Sequence, residues 1–379
     1  MKLAIVRQRY NPYGGAERFV ERALGALSGN GLNLTLITRV WPAAKDDLEV
    51  RLCNPFYLGR LWRDWGFSRC VQRIVKSGEF DLVQSHERIP GCALYRAGDG
   101  VHATWLESRA LVQGKLARLA TSIHPWHRFT LRMEAQMFSH PSLRAVICNS
   151  AMVKEDIHRR FGFSTDKLHV IHNGVDLEHF HPGLRELHRS RIRNELGIAE
   201  DTPLFLFVGS GFERKGLPQL LSAFHNMRRT DAHLVVVGSD KRERAMRNLA
   251  EIFGISARVH FKGGQQDVRP FYGAADAFAL PTLYDPFPNA ALEALACGLP
   301  VLTSTSCGAA ELIESGSNGY VCTATDTATL AMHLDALAEG ASVMREAARA
   351  TAQSCALPDM VGRLTALYAE LLAKGPAQL

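Results

Sequence analysis

The sequence contains no D-x-D triplet, no C-x-x-C pair, no G-x-G-x-x-G turn and no internal repeat, and it has no acidic residue between Ser108 and Met133. Each absence removes a class of function. Without D-x-D there is no ready carboxylate pair for a metal that bridges phosphates. Eight cysteines (Cys53, Cys70, Cys92, Cys148, Cys297, Cys307, Cys322 and Cys355) lack metal-ligand spacing, which argues against zinc and against a secreted disulfide framework. They are expected as small buried side chains in a reducing compartment. No apolar run approaches the roughly 18 residues of a membrane span, and the opening Met1–Arg7 stretch is too short for a signal peptide. A cytoplasmic location is therefore expected.

What is present is ample core material: 379 residues, 46% hydrophobic and 22% charged, enough for two ordinary domains. The net charge of +6 is modest, so its placement matters more than its size. The acid-free stretch carries Arg109, Lys115, Arg118, Arg128 and Arg132 with Ile123, Trp126, Phe129 and Leu131 interleaved. Basic residues beside apolar and aromatic ones suit an anionic membrane surface, with a solvated helix face as the competing reading. No nucleic-acid-binding motif accompanies the patch.

Short apolar runs alternate with amphipathic stretches throughout, the pattern of strands feeding helices in a parallel sheet. Strands are expected at 3–6, 32–38, 81–85, 144–149 and 169–172, and a second series at 204–208, 233–237, 258–261, 277–280, 300–303 and 319–322. The polar, Arg-rich stretch from Asp176 to Glu200, with Pro182 and Gly183, has the composition of a linker. Two Rossmann-like doubly wound domains, 1–178 and 179–357, are thus expected, with the amphipathic C-terminal segment 358–379 packing back on the first. Facing each other, such domains are expected to form a deep cleft, with ligands beyond the carboxyl ends of their strands.

Three strand ends carry candidate chemistry. Gly14 and Gly15 open a helix after the first strand, where backbone amides can approach an anion, although a plain tight turn explains them as well. After Val208 the chain reads Gly209-Ser210-Gly211-Phe212-Glu213-Arg214-Lys215-Gly216. Arg214 and Lys215 stand at the head of a helix, where positive charge is unfavourable to the helix dipole, and a diphosphate would offset them. Two solvated loop residues are the alternative. The third motif is Tyr284-Asp285-Pro286-Phe287-Pro288-Asn289-Ala290-Ala291-Leu292-Glu293, continuing Ala294-Leu295-Ala296-Cys297-Gly298. Pro288 suits a helix start and Gly298 its end. Glu293, alone among Ala and Leu, is either exposed or aimed at a polar ligand such as ribose hydroxyls, and Asp285 can accept from a hexose.

Asp285 with Glu293 eight positions on resembles the E-x7-E signature of the family 4 retaining glycosyltransferases of the GT-B fold. Arg214-Lys215-Gly216, the Gly14-Gly15 turn and Asn173-Gly174-Val175-Asp176 are similarly placed, so the resemblance covers nearly the whole chain. The segments Tyr10–Gly15 and Ala97-Gly98-Asp99, with the basic stretch after them, look most like the glucosyltransferases that add the first glucose to the heptose region of the lipopolysaccharide core. The chain departs in having Asp285, one methylene shorter than Glu, and in Pro286 and Pro288, which leave only the amides of Phe287 and Asn289 in that loop.

The resemblance implies transfer of a hexose from a UDP-sugar to a sugar acceptor, lipid-linked, with retention, no metal and no cofactor beyond the nucleotide-sugar co-substrate. Arg214, Lys215 and Asp99 are its catalytic candidates. Donor contacts are assigned to Gly14, Gly15, Arg214, Lys215, Asp285, Phe287, Asn289 and Glu293. Asp99 either faces the acceptor or stabilises its own turn. His86 and Glu87 are further acceptor-side candidates. A UDP-sugar epimerase of the same fold and a non-catalytic sugar-nucleotide binder are the rival functions.

Overall fold

The computed structural model describes residues 2–9, 33–40 and 49–374. Gly14 and Gly15 lie outside the described residues. The chain forms two compact units, one of 1–172 with 358–379 and one of 173–357.

The first unit is a parallel sheet of seven strands, β1 (Lys2–Val6), β2 (Asn33–Thr38), β3 (Glu49–Leu52), β4 (Leu82–Ser85), β5 (Leu94–Arg96), β6 (Ala145–Cys148) and β7 (Leu168–Val170), in the order β3-β2-β1-β4-β5-β6-β7. β3 and β5 escape the apolar-run criterion for different reasons. β3 alternates Glu49 and Arg51 with apolar residues at the half-exposed sheet edge, and β5 has only three residues. Its helices among the described residues before 172 are α1 (Gly59–Lys76), α2 (His102–Leu111), α3 (Lys115–Ile123), α4 (Pro125–Phe138) and α5 (Ala151–Phe161). Ser150 caps α5 by accepting from the Val153 amide, satisfying one of the four donors that a helix start leaves open.

Cys53 and Cys70 depart from the expectation of free thiols. The end of β3 lies against α1, and the two are joined in a disulfide with Cα atoms 6.1 Å apart. The other six cysteines are free and buried. Burial pushes the thiols of Cys92, Cys148 and Cys307 up to about 12, which leaves them unreactive.

The second unit is a parallel sheet of six strands, β8 (Leu204–Val208), β9 (His233–Val237), β10 (Val259–Gly263), β11 (Ala277–Leu280), β12 (Val301–Ser304) and β13 (Gly319–Cys322), in the order β10-β9-β8-β11-β12-β13. β8 and β11 are buried along their whole length, as central strands covered on both faces must be. The helices are α6 (Leu184–Leu196), α7 (Leu217–His225), α8 (Glu243–Ile252), α9 (Arg269–Ala274), α10 (Asn289–Ala296), α11 (Thr327–Gly340) and α12 (Arg345–Gln353).

The Arg-rich stretch 176–200 is no linker. It contains α6, which packs on α9 so closely that a Cβ at Gly273 would stand 2.2 Å from the Leu184 carbonyl oxygen. Two of its arginines are structural: fully buried Arg193 binds the Asp276 carboxylate at 2.5 Å and donates to the carbonyls of Ala274, Ala199 and Thr202, while Arg189 reaches Asp276 at 2.8 Å. Val175 pairs with the chain's exit from this unit, its amide donating to Cys355 and its carbonyl accepting from Leu357. The final helix α13 (Leu357–Ala373) then returns to the first unit, where Tyr368 donates to Gln84 at 2.8 Å and Arg144 donates to the Leu371 carbonyl.

Candidate functional site

In the second unit the turn after β8 is held at both ends. Leu217, Leu220, Leu221 and Phe224 of α7 are fully buried, each contributing about 1.5–3 kcal/mol by burial. Gly216, just before that helix, has φ +75°, and a Cβ there would fall 1.8 Å from the Pro281 carbonyl oxygen. Only glycine fits. Gly209 likewise leaves room for the stem of Lys215, whose Cε lies 3.3 Å from where a Cβ would stand.

This turn delivers Arg214 and Lys215 to one carboxylate oxygen. Lys215 Nζ donates to Asp285 Oδ2 at 2.6 Å and Arg214 Nη1 donates to the same oxygen at 3.0 Å, with a further bond to the Tyr284 carbonyl at 3.1 Å. Burial pushes the Asp285 carboxyl up, but the charges and hydrogen bonds of Lys215 and Arg214 outweigh it and hold the group below its ordinary value. The Asp285 backbone is fixed too, its amide donating to the Ser306 carbonyl and its carbonyl accepting from the Gly308 amide. The negative partner demanded by the two cations is thus an internal carboxylate in this structure.

Four residues past Asp285 the chain enters α10. Glu293 is buried rather than exposed, and it accepts from the Tyr272 hydroxyl at 3.0 Å. The same hydroxyl lies 3.1 Å from the Ala290 carbonyl. Asn173 donates to the Phe287 carbonyl at 3.2 Å and to the Asn289 side-chain oxygen at 2.7 Å, fastening the start of the unit to the loop before α10. Phe287 is buried and Asn289 half-buried. Arg214, Lys215, Asp285, Phe287, Asn289 and Glu293 therefore belong to one region of one unit.

Asp99 belongs to the first unit. It is exposed after β5, 3.7 Å from Arg7, which also faces Glu87 at 3.5 Å. Burial raises the Glu87 carboxyl, and Asp99 adds to that while Arg7 opposes it. Burial, with Arg96 and Arg7 nearby, depresses His86 well below the usual histidine value. Next to the Gly98-Asp99-Gly100 turn, Arg88 bridges Glu134 at 2.7 Å and the Gly100 carbonyl at 2.8 Å, and Glu134 accepts from the His102 amide at 2.9 Å. Among the described residues no group of three or more His, Cys, Asp or Glu is arranged to hold a metal ion.

Two family descriptions match the chain, "Glycosyltransferase Family 4" over residues 13–179 and "Glycosyl transferases group 1" over residues 188–354. The chain is a family 4 glycosyltransferase of the GT-B fold. It is 28% identical over 332 residues to the lipopolysaccharide glucosyltransferase WaaG of Escherichia coli K12, covering 85% of each chain. A crystal structure of WaaG, described as a glycosyltransferase involved in lipopolysaccharide biosynthesis, superimposes with a TM-score of 0.81 at 26% identity, over 96% of this chain and 98% of that one. Anabaena HepE in complex with UDP-glucose shares the fold, with a TM-score of 0.74 at 20% identity over 98% of this chain and 100% of that one.

Asp285 and Glu293, eight positions apart, lie in the second unit with the basic pair. Three contributors owe their place at the site to the fold rather than to motif spacing. Tyr272 lies 21 positions before Glu293, and only the fold brings it there. Asn173 is visible as part of a family segment, but its bonds to Phe287 and Asn289 are tertiary. Thr282 accompanies them: its hydroxyl donates to the Arg214 carbonyl at 2.8 Å, and the Leu283 amide donates to the same oxygen.

Proposed function

We propose that this glycosyltransferase moves a hexose, glucose by its likeness to WaaG, from a UDP-sugar to a lipid-linked sugar of the lipopolysaccharide core or a related surface polysaccharide, with retention and without metal. The observation that carries the reading is the convergence of Arg214 and Lys215 on Asp285 beside the helix that bears Glu293. A donor diphosphate takes over the two cations, and Glu293 and Asp285 serve the ribose and hexose hydroxyls. In the reaction the bond between the anomeric carbon and the diphosphate oxygen breaks, and the acceptor oxygen bonds to the same face of that carbon. The departing diphosphate takes the acceptor's proton. The charge growing on it is what Arg214 and Lys215 stabilise. Asp99 is assigned to the acceptor, with Glu87 facing the same Arg7 and His86 next to Glu87 in the chain.

The stretch 109–132 is the membrane-facing part of this reading. α3 buries none of its residues, and Leu116 is 85% exposed. No helix of the described residues is long and apolar enough to cross a membrane, so the docking is peripheral. Donor hydrolysis measured across UDP-, GDP- and ADP-sugars, with and without EDTA, tests the donor and metal assignments together. A preference for UDP-sugars that survives EDTA is the expected outcome.

A further inference from the structure

α1 carries two apolar stripes. Phe67, Val71 and Ile74 are buried in the core of the first unit. Leu58, Leu61, Trp62 and Trp65, at spacings of three and four, line up about opposite to them at 100° per residue, and all are exposed. Trp62 is 42% and Trp65 45% exposed, and Phe56, just ahead of the helix and edge-on to Trp62, is 75% exposed. An apolar stripe of this kind turned away from the core is unusual for a surface helix and points to contact with something apolar.

The charges around the stripe say what that is. Between Gly59 and Lys76 the helix has Arg60, Arg63, Arg69, Arg73 and Lys76 against a single acid, Asp64. Asp64 is already occupied by Gln8, Arg63 and the indole N–H of Trp126. The Arg60 guanidinium lies 3.4 Å from the centroid of the Trp126 ring. Trp126 is therefore engaged within the unit, where it fastens α1 to α4, and among the described residues Phe56, Trp62 and Trp65 carry rings turned outward.

We infer that Phe56, Trp62 and Trp65 form a second membrane-contacting element, inserting at the interface of an anionic bilayer beside the 109–132 stretch; the inference rests on the peripheral docking proposed above. Tryptophan at the headgroup level with arginine around it suits such an interface. A protein groove would need its own acids to match the basic residues of α1, whereas an anionic bilayer supplies apolar depth and negative charge together.

The test is co-sedimentation of the full chain with phosphatidylcholine vesicles, with and without phosphatidylglycerol. It compares wild type, Trp62→Ser/Trp65→Ser and Leu116→Ser/Leu119→Ser. Wild type should bind the anionic vesicles, and the tryptophan pair should lower partitioning by at least about tenfold. Its melting temperature and its turnover on a soluble acceptor should be unchanged. Brominated lipid should quench wild-type tryptophan fluorescence, which checks insertion without any variant. Wild-type binding that the Trp62/Trp65 variant retains in full, or absence of quenching, overturns this inference alone. Wild type left in the supernatant removes the docking reading and this element with it. A dimer dispersed by the tryptophan substitutions assigns the stripe to a second copy and also overturns it.

Discussion

Lys215 Nζ and Asp285 Oδ2 are 2.6 Å apart, both residues buried, and Arg214 reaches the same oxygen from 3.0 Å. Two cations on one buried carboxylate leave positive charge in excess there, with the Arg214 side chain partly open to solvent. Under the proposed function the donor diphosphate completes that charge balance, and Asp285 holds the cations in position until it arrives.

Asp285→Asn should therefore act on stability and on ligand response in opposite directions. Removing one partner of a buried pair costs about 3 kcal/mol, somewhat less here because Arg214 is partly solvated. UDP should then raise the melting temperature of the variant by more than it raises that of wild type, because the diphosphate supplies the missing charge. Equal UDP shifts in both proteins would place the phosphates away from this pair.

Glu293 and Tyr272 make a graded pair of tests. Glu293→Gln keeps the shape and removes the charge, and UDP affinity should weaken by about 1.5–3 kcal/mol, the range for hydrogen bonds to charged groups. Tyr272→Phe removes only the hydroxyl that orients Glu293, so the loss should be smaller, about 0.5–1.5 kcal/mol. Calorimetry with UDP measures both. An unchanged affinity in Glu293→Gln leaves that residue a structural member of α10.

Acid should weaken the fold through buried histidines. His102 is depressed to about 3, first by burial and then by the charges of Arg88, His127 and Arg60, and His86 is depressed well below its usual value. Both stay neutral when folded and take up a proton when unfolded. Stability is then full above about pH 6.5 and falls as pH drops from there toward 3, by at most about 1.4 kcal/mol per pH unit for each histidine. Denaturant titrations between pH 7 and pH 5 should show the decline, and His86→Gln should reduce its slope. A flat profile in wild type contradicts the assignment of neutral buried imidazoles.

Most of the fold could be read from the order of apolar runs, because central strands such as β8 and β11 are continuous apolar segments whatever surrounds them. β3 could not, since an edge strand with Glu49 and Arg51 looks like a loop. The stretch 176–200 misled for a related reason: arginines suggest solvent, yet Arg193 is buried because Asp276 and three carbonyls wait for it in the folded unit. At the candidate site, Arg214, Lys215, Asp285 and Glu293 stand in contiguous motifs, so they could be singled out as candidates from the sequence. That Asp285 would hold the cations was not, because the pairing joins residues 70 positions apart. The basic stretch was legible as charge, but Trp126 within it is an anchor for α1.

Stabilisation by Arg214 and Lys215 of the diphosphate leaving a UDP-sugar is the step on which the proposed function turns. Turnover of UDP-glucose by wild type and Arg214→Ala, on a heptose-containing acceptor and with folding checked by circular dichroism, tests it most directly. The substitution should lower kcat by roughly 100-fold or more, the scale seen when one donor to a developing oxyanion is lost. A correctly folded Arg214→Ala enzyme with near-normal turnover would contradict it.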